Sequence, residues 1–398
     1  MNVCLLHPFD PRGPKVGGLE TYIRDFIRFH PDDINILMIG VDGKGDLPLG
    51  KVTDLEVQGR HIRFMPIIHY SDNQIHEAAK SILNSITFQF AAGLARHLLE
   101  IRKLLKSGMY TVDLRRVEFA FFCVLMRTPF FQMLHGEGAP KLKMDSLLGR
   151  YRFIHNFNEQ FAIKHCERFL CVNPMITERI KSLYPSYAGK ISTLTTWYNP
   201  DIYAPTQFIL NDNILRILFC GRLDAFKAPW LMFKVIKNLK TALGKDRIEF
   251  HYIGTSEPTR FTEFDDIQDV THLHGFQPQK KIAEIAMSMH ATILTSEFEG
   301  MPRCTLEGLG AGRPAVAVHL PQLEAVIEDG LSGYLVPRTS EDKMLEKLTE
   351  RFLQIWKEIK LGHIDPQKVA HKVADFTPQI LLEKVYSYHR EVHQRLNV

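Results

Sequence analysis

Residues 214–229, ILRILFCGRLDAFKAP, decide the architecture of this 398-residue chain. Ile214 to Cys220 is a near-continuous apolar run, interrupted by Arg216 and stopped by Gly221. Such a run, without period-two alternation, is what a strand covered on both faces requires. A helical segment, Trp230 to Leu239, comes next, then a strand at Phe250 to Ile253 and a helix at Lys280 to Met289. Ala291–Leu294, Ala315–Val318 and Tyr334–Val336 read as further strands with helices between them. Alternation of this density implies a parallel sheet with helices on both faces.

Upstream, the same pattern occurs once more. Val3 to Leu6 reads as a strand, followed by a Pro- and Gly-rich loop, Pro8 to Gly18. Leu19, Ile23, Phe26 and Ile27 then fall on one helical face. Ile34–Ile39, Ile62–Ile67 and Phe130–Leu134 look like strands, while Ile75–Leu105 and Leu147–Cys166 are helical patterns. A Rossmann-like unit thus begins twice, at Asn2 and at Leu215. The expected division is 1–203, an N-terminal Rossmann-like domain, 204–376, a C-terminal one, and 377–398, a final helix. Pro200 and Pro205 punctuate the expected linker, Tyr198 to Gln207.

Composition narrows the class. Hydrophobic residues make up 45% and charged residues 24%, as in a globular enzyme, and the length exceeds one hydrophobic core. A formal charge of +4 is far below that of a dedicated nucleic-acid binder. The six cysteines carry no Cys-x-x-Cys spacing and read as small buried thiols of a reducing compartment. The longest apolar run, Phe119 to Met126, is much shorter than the roughly 20 residues that span a bilayer. The opening MNVCLLHP lacks a cleavage pattern, so a cytoplasmic protein is expected. Basic residues from Arg96 to Arg116, and Lys141, Lys143, Arg150 and Arg152, read as solvated faces; peripheral contact with the inner face of a membrane is the alternative.

The chemistry concentrates in Ser296 to Pro314, SEFEGMPRCTLEGLGAGRP. Pro302 suits the first position of a short helix and Gly312 the position just beyond its end. Glu299 then precedes the helix and Glu307 lies within it. Pro302 to Glu307 spans about 7–8 Å, so the two carboxylates suit separate hydroxyl-bearing parts of one extended ligand. A second constellation, Gly221-Arg222-Leu223-Asp224-Ala225-Phe226-Lys227, puts two cations on the turn leaving a buried strand. That is where open parallel sheets bind ligands, and the pair suits a diphosphate. Gly17-Gly18 opens the first helix without the G-x-G-x-x-G spacing of a dinucleotide fold. His135 ends an apolar strand before Gly136-Glu137-Gly138. Asp265-Asp266 and the His272/His274 pair lack adequate partners, so no metal site is expected.

The Glu299–Glu307 spacing within EGMP, followed by GAGRP and by residues 324–336, EAVIEDGLSGYLV, resembles the signature of family-4 retaining glycosyltransferases with the GT-B fold. The resemblance implies an α/β protein of two facing Rossmann-like domains with parallel sheets and an interdomain cleft. It implies that Glu307 holds the nucleotide ribose and Glu299 the donor sugar, with Gly300, Met301 and Pro302 beside it. Arg222 and Lys227 would hold the diphosphate, Gly17 and Gly18 would lie near the donor phosphate and acceptor, and His135 would contact the donor sugar. It further implies a metal-independent hexosyl transfer with retained configuration, and a final helix crossing back to the N-terminal domain. The donor would be a nucleotide-diphosphate sugar, UDP-sugar favoured over GDP- or ADP-sugar, and the acceptor a glycan or a lipid-linked hydroxyl in surface polysaccharide synthesis. A nucleotide-sugar epimerase and a non-catalytic binding protein are the alternative expectations. Three stretches depart from the family pattern: Tyr198-Asn199-Pro200-Asp201, Gly254-Thr255-Ser256 and His290-Ala291.

Overall fold

The computed structural model describes residues 1–13, 18–71, 84–134 and 152–396. The chain forms two compact units, Met1–Thr195 with Pro378–Val398, and Thr196–Thr377. Residues 196–203, expected to end the first domain, contribute Tyr198 and Tyr203 to the core of the second.

In the first unit the strands are β1 (Asn2–Leu6), β2 (Asn35–Asp42), β3 (Thr53–Val57), β4 (Arg60–His69), β5 (Thr111–Leu114), β6 (Phe130–Leu134), β7 (Arg168–Cys171) and β8 (Ile191–Thr193). They form one sheet in the order β3-β4-β2-β1-β5-β6-β7-β8. All neighbours pair in parallel except β3 and β4. The turn between those two is Gln58-Gly59, with φ of 55° and 72°, the left-handed pair that a two-residue hairpin needs. The central strands are apolar because both faces are covered: Val3, Cys4, Leu37, Met38, Ile39 and Val112 are fully buried.

The pattern read as one helix from Ile75 to Leu105 is, over its described part, two helices, Ile86–Arg96 and Leu98–Ser107. They meet at His97, whose φ of −102° and ψ of 17° break the helical run. Ser85 caps the first of them through the Phe88 N–H, and residues 72–83 lie outside the described part of the chain. The basic stripe is not uniform either. Arg115 is buried, its Nε 2.6 Å from Asp113 Oδ1 and its guanidinium 3.6 Å from the Tyr22 ring centroid. Among the described residues no helix is long and apolar enough to cross a membrane. Cys4, Cys123, Cys166 and Cys171 are buried free thiols, and Cys220 and Cys304 are partly buried ones.

The last helix, Pro378–Leu396, packs within the first unit. Tyr386 donates its hydroxyl to the Phe26 carbonyl (3.1 Å) and sets its ring edge-on to Phe26, centroids 5.0 Å apart. His389 Nδ1 lies 2.7 Å from Thr111 Oγ1, and Arg390 pairs with Asp33 at 3.2 Å.

The second unit carries β9 (Leu215–Cys220), β10 (Ile248–Ile253), β11 (Thr271–Gly275), β12 (Ala291–Leu294), β13 (Ala315–Val318) and β14 (Gly333–Val336). Their order is β11-β10-β9-β12-β13-β14, all parallel. The chain runs outward from β9 in one direction and from β12 in the other. Their carboxyl ends therefore flank the crevice where open α/β sheets bind ligands. Leu215, Ile217, Val235, Ile236, Leu306 and Leu309 are fully buried in the core.

Two residues of this unit have measurable consequences. Gly333 has φ +145°, and a Cβ there would run into the Ala315 backbone across the β13–β14 pair. Gly333→Ala is expected to lower stability by about 2–4 kcal/mol in urea unfolding, through backbone strain and lost strand pairing.

His290 is buried, with Nδ1 accepting the Arg216 N–H (2.9 Å) and Nε2 donating to the Ile209 carbonyl (2.7 Å). Burial, with Arg216 and Arg313 nearby, pushes its pKa down to about 4, against the partly compensating Ile209 bond. Below pH 6.5 the unfolded chain therefore binds a proton that the folded chain refuses. Stability is full above that pH and falls towards pH 4. Between pH 7 and 5 the loss from His290 is of order 1–2 kcal/mol, and His290→Gln should flatten that part of the urea-midpoint profile.

Candidate functional site

Three segments of the second unit meet at the β9/β12 crevice. The first leaves β9 at Gly221, whose N–H bonds the Ile253 carbonyl at 2.9 Å. Gly254 must also be glycine, since a Cβ there would strike the Gly221 carbonyl and the Tyr252 ring. The loop makes a 3-10 turn at Ala225–Lys227, passes Ala228 in the left-handed region (φ 44°) and enters the helix Pro229–Leu243. The Leu223 N–H bonds Ser256 Oγ at 3.0 Å, and Arg260 donates to the Leu223 carbonyl. Ser256, in the stretch Gly254-Thr255-Ser256 that departs from the family pattern, therefore fastens this loop.

The second segment follows β12. Thr295 Oγ1 donates to the Lys227 carbonyl at 2.7 Å, and the Glu297 N–H donates to the Phe226 carbonyl at 2.7 Å. Those two bonds stitch the loops together and set Lys227 Nζ 2.7 Å from Glu299 Oε1. The same oxygen accepts from Ser296 Oγ at 2.9 Å, while Gln322 donates to the Glu299 carbonyl at 2.7 Å. Arg338 braces the carbonyls of Ser296 (3.0 Å) and Glu297 (2.9 Å).

The third is the helix Arg303–Gly310. Pro302 is its N-cap, with φ −72° and ψ 107°, one position earlier than the sequence reading placed it. Proline has no side-chain acceptor, so no side chain caps this helix start. The missing cap keeps the partly positive end available to an anion. The Thr305 N–H bonds the Pro302 carbonyl at 3.1 Å, and Gly312 (φ +78°) ends the helix. Met301 packs on the core, and Gly300 lies between it and Glu299.

The electrostatics of the two expected phosphate-binding cations differ. Burial draws the Lys227 ammonium pKa down, but Glu299, Cys304 and Asp224 together outweigh it and the net shift is upward. Lys227 therefore stays charged although its side chain is only 14% exposed. Arg222, 72% exposed, pairs with Asp224 at 3.0 Å. The two lie on one loop but are held by different carboxylates.

Burial raises the Glu307 carboxyl, opposed by Arg303, Tyr203 and Gln279. Arg303 Nε lies 3.5 Å from Glu307 Oε1, one helical turn away. Cys304, between these groups, is pushed up to about 11 by burial. Lys227 pulls it down, and Glu299 and Glu307 push it further up. Lys227, Glu299 and Glu307 are thus brought to one neighbourhood.

Gly17 and His135 lie outside the described residues. Gly18 opens the helix Gly18–Phe29, and a Cβ there would meet nothing within 4 Å, so close packing does not require glycine at this position. The sequence reading missed Ser296, Gln322, Arg338, Ser256 and Cys304. Only Ser296 and Cys304 lie inside the motif, and the others reach it from distant parts of the chain. Asp266, read as a stray acidic group, pairs with Lys237 at 2.8 Å. His272 and His274, read as lacking partners, stand beside His251, with ring centroids 4.6 Å and 5.2 Å from it.

Comparison with known proteins places this arrangement. Residues 215–353 match the family model described as "Glycosyl transferases group 1". The chain is 21% identical over 196 residues to D-inositol 3-phosphate glycosyltransferase of Streptosporangium roseum, covering 45% of each. It is 28% identical over 131 residues to the amylovoran biosynthesis glycosyltransferase AmsK of Erwinia amylovora, covering 31% of this chain and 32% of that one. The chain thus spans about half or less of these curated relatives. Sucrose-phosphate synthase from Thermosynechococcus elongatus superimposes over 99% of both chains with a TM-score of 0.73 at 14% identity, a likeness of fold. Residues 215–353 thus match the group 1 glycosyltransferases, and the two parallel-dominated sheets share the GT-B fold of the solved glycosyltransferase structures.

Proposed function

We propose that this chain is a family-4 retaining glycosyltransferase. It moves a hexosyl group from a nucleoside-diphosphate sugar to a hydroxyl of a glycan or lipid-linked acceptor in surface polysaccharide or glycoconjugate synthesis. The observation that carries the reading is the Lys227–Glu299 pair at 2.7 Å, held where the loops after β9 and β12 meet beside an uncapped helix start. A charged lysine at a helix N-terminus is a place for phosphate oxygens, and a carboxylate beside it is a place for sugar hydroxyls.

In this reading Lys227 and Arg222 take the diphosphate, with the N–H groups of the helix Arg303–Gly310 supporting them. Glu307, in the middle of that helix, accepts the ribose hydroxyls, and Glu299 with Gly300, Met301 and Pro302 takes the sugar. His135, with Gly17 and Gly18, keeps the donor- and acceptor-side roles that the family resemblance gives them. The bond from the anomeric carbon to the diphosphate oxygen breaks as the acceptor oxygen bonds the same face. The acceptor's hydroxyl proton passes to the departing phosphate oxygen. No separate base is needed, and cationic side chains carry the leaving-group charge in place of a metal. A UDP-sugar is the favoured donor, and thermal-shift screening of UDP, GDP, ADP and their sugars identifies the base. In this reading the chain acts at the cytoplasmic side.

Two outcomes test the reading. Lys227→Ala should weaken nucleoside-diphosphate binding by about 1.5–3 kcal/mol in calorimetry, the worth of a charge-assisted contact, with the fold checked by circular dichroism. Unchanged affinity removes Lys227 from the donor site. The anomeric coupling of the product linkage, read by NMR, should match that of the donor sugar, and an inverted anomer overturns retention. Conversion of the donor with no acceptor present would instead indicate epimerisation.

A further inference from the structure

Strand β10 alternates, so Glu249 and His251 share one face while Phe250 and Tyr252 are buried on the other. On the sheet's edge strand, β11, His272 and His274 share a face in the same way. The register sets His251 directly opposite His272. One parallel pair therefore gathers three imidazoles and a carboxylate away from the loops that hold Lys227 and Glu299.

The geometry is that of a ligand set. One ligand atom from each of Glu249, His251 and His272 lies within 4.8 Å of the others. Glu249 Oε2 and His251 Nε2 are 3.3 Å apart. That is long for an N–H···O bond, whose usual length is about 2.9–3.0 Å. It equals the edge of a tetrahedron with metal–ligand bonds of about 2.0–2.1 Å, roughly 3.3 Å. The His272 ring is exposed and stacks on His251 at 4.6 Å, so rotation about its side-chain bonds brings a nitrogen to the third corner.

The surroundings fit as well. His274 Nε2 lies 3.0 Å from His251 Nδ1, so it can accept the Nδ1–H and leave Nε2 free to ligate. Arg216 Nε holds Glu249 Oε2 at 2.8 Å, orienting the carboxylate. Outer partners of this kind are what metal-bound histidines and carboxylates need.

We propose that Glu249, His251 and His272 bind one first-row divalent transition ion, Zn2+ by preference, with water as fourth ligand and His274 as a positioning residue. Two imidazoles and one carboxylate form a borderline N/O set that suits Zn2+ or Co2+ over Mg2+ or Ca2+. The ion ties the edge strand β11, which among the described residues pairs with β10 alone, to the rest of the sheet. Its role is to brace the second unit, separate from the charge supplied to the donor by Lys227 and Arg222.

The test is titration of the chelator-treated full chain with Co2+ by visible absorption and with Zn2+ by calorimetry. One equivalent is expected, with tetrahedral Co2+ bands and a rise in melting temperature when Zn2+ is added. His272→Ala, at an exposed ring that folding does not need, should weaken binding by more than about tenfold, and Glu249→Gln should do likewise. His319→Ala, at a histidine outside the cluster, should leave it unchanged. Absence of a stoichiometric site, binding that survives both His272→Ala and Glu249→Gln, or a preference for Mg2+ would overturn the proposal. None of these readouts depends on transferase activity.

Discussion

The Lys227–Glu299 ion pair is the constraint around which the second unit is organised. Both side chains are 14% exposed, so each has lost most of its hydration and neither is stable there alone. Removing one partner would strand the other, whereas replacing both by apolar groups could cost the fold little. The pair therefore says more about what the crevice must hold than about stability. Its position depends on parallel pairing of β9 with β12 and on the two inter-loop bonds to the carbonyls of Phe226 and Lys227. Those bonds in turn require the left-handed turn at Ala228 and the glycines at 221 and 254.

A buried, paired ammonium and a buried, raised carboxyl within one neighbourhood form a preorganised electrostatic surface. Cys304 registers this, since Lys227, Glu299 and Glu307 all act on its thiol. An anionic ligand entering such a surface competes with Glu299 for Lys227. Were Lys227 drawn away, the Ser296 hydroxyl at 2.9 Å would still donate to Glu299 Oε1, so that carboxylate would keep a hydrogen bond though not its counter-charge.

Much of this was legible in sequence because buried parallel strands are continuous apolar runs. β12 and β13 begin and end where the runs do. The strands that escaped notice are polar, very short or, like the four-residue β5 (TVDL) and β7 (RFLC), have too few consecutive apolar residues beside Asp113 or Arg168 to stand out. β3 alternates Asp54 and Glu56 outward, β8 has three residues, and β11 reads THLHG because an edge strand is wet on both faces. The site divides in the same way. Glu299 and Glu307 announce themselves through local spacing, as do Arg222 and Lys227. Gln322, Arg338 and Ser256 reach the site only through tertiary folding, and no local pattern marks them. The partners of His272 and His274 lie some twenty residues upstream on a neighbouring strand, a proximity that only strand register creates. The helix break at His97 was missed for a related reason: apolar periodicity continues across it while the backbone does not.

The helix Pro378–Leu396 makes the first unit discontinuous in sequence. Its partners, Phe26, Thr111 and Asp33, are synthesised before the second unit, and Tyr386, His389 and Arg390 after it. During translation the N-terminal sheet must therefore wait, with the Phe26 ring and the Thr111 hydroxyl uncovered, until the whole second unit has left the ribosome. The order of synthesis thus completes the second unit before the first, and the nascent N-terminal sheet needs protection from aggregation throughout that interval.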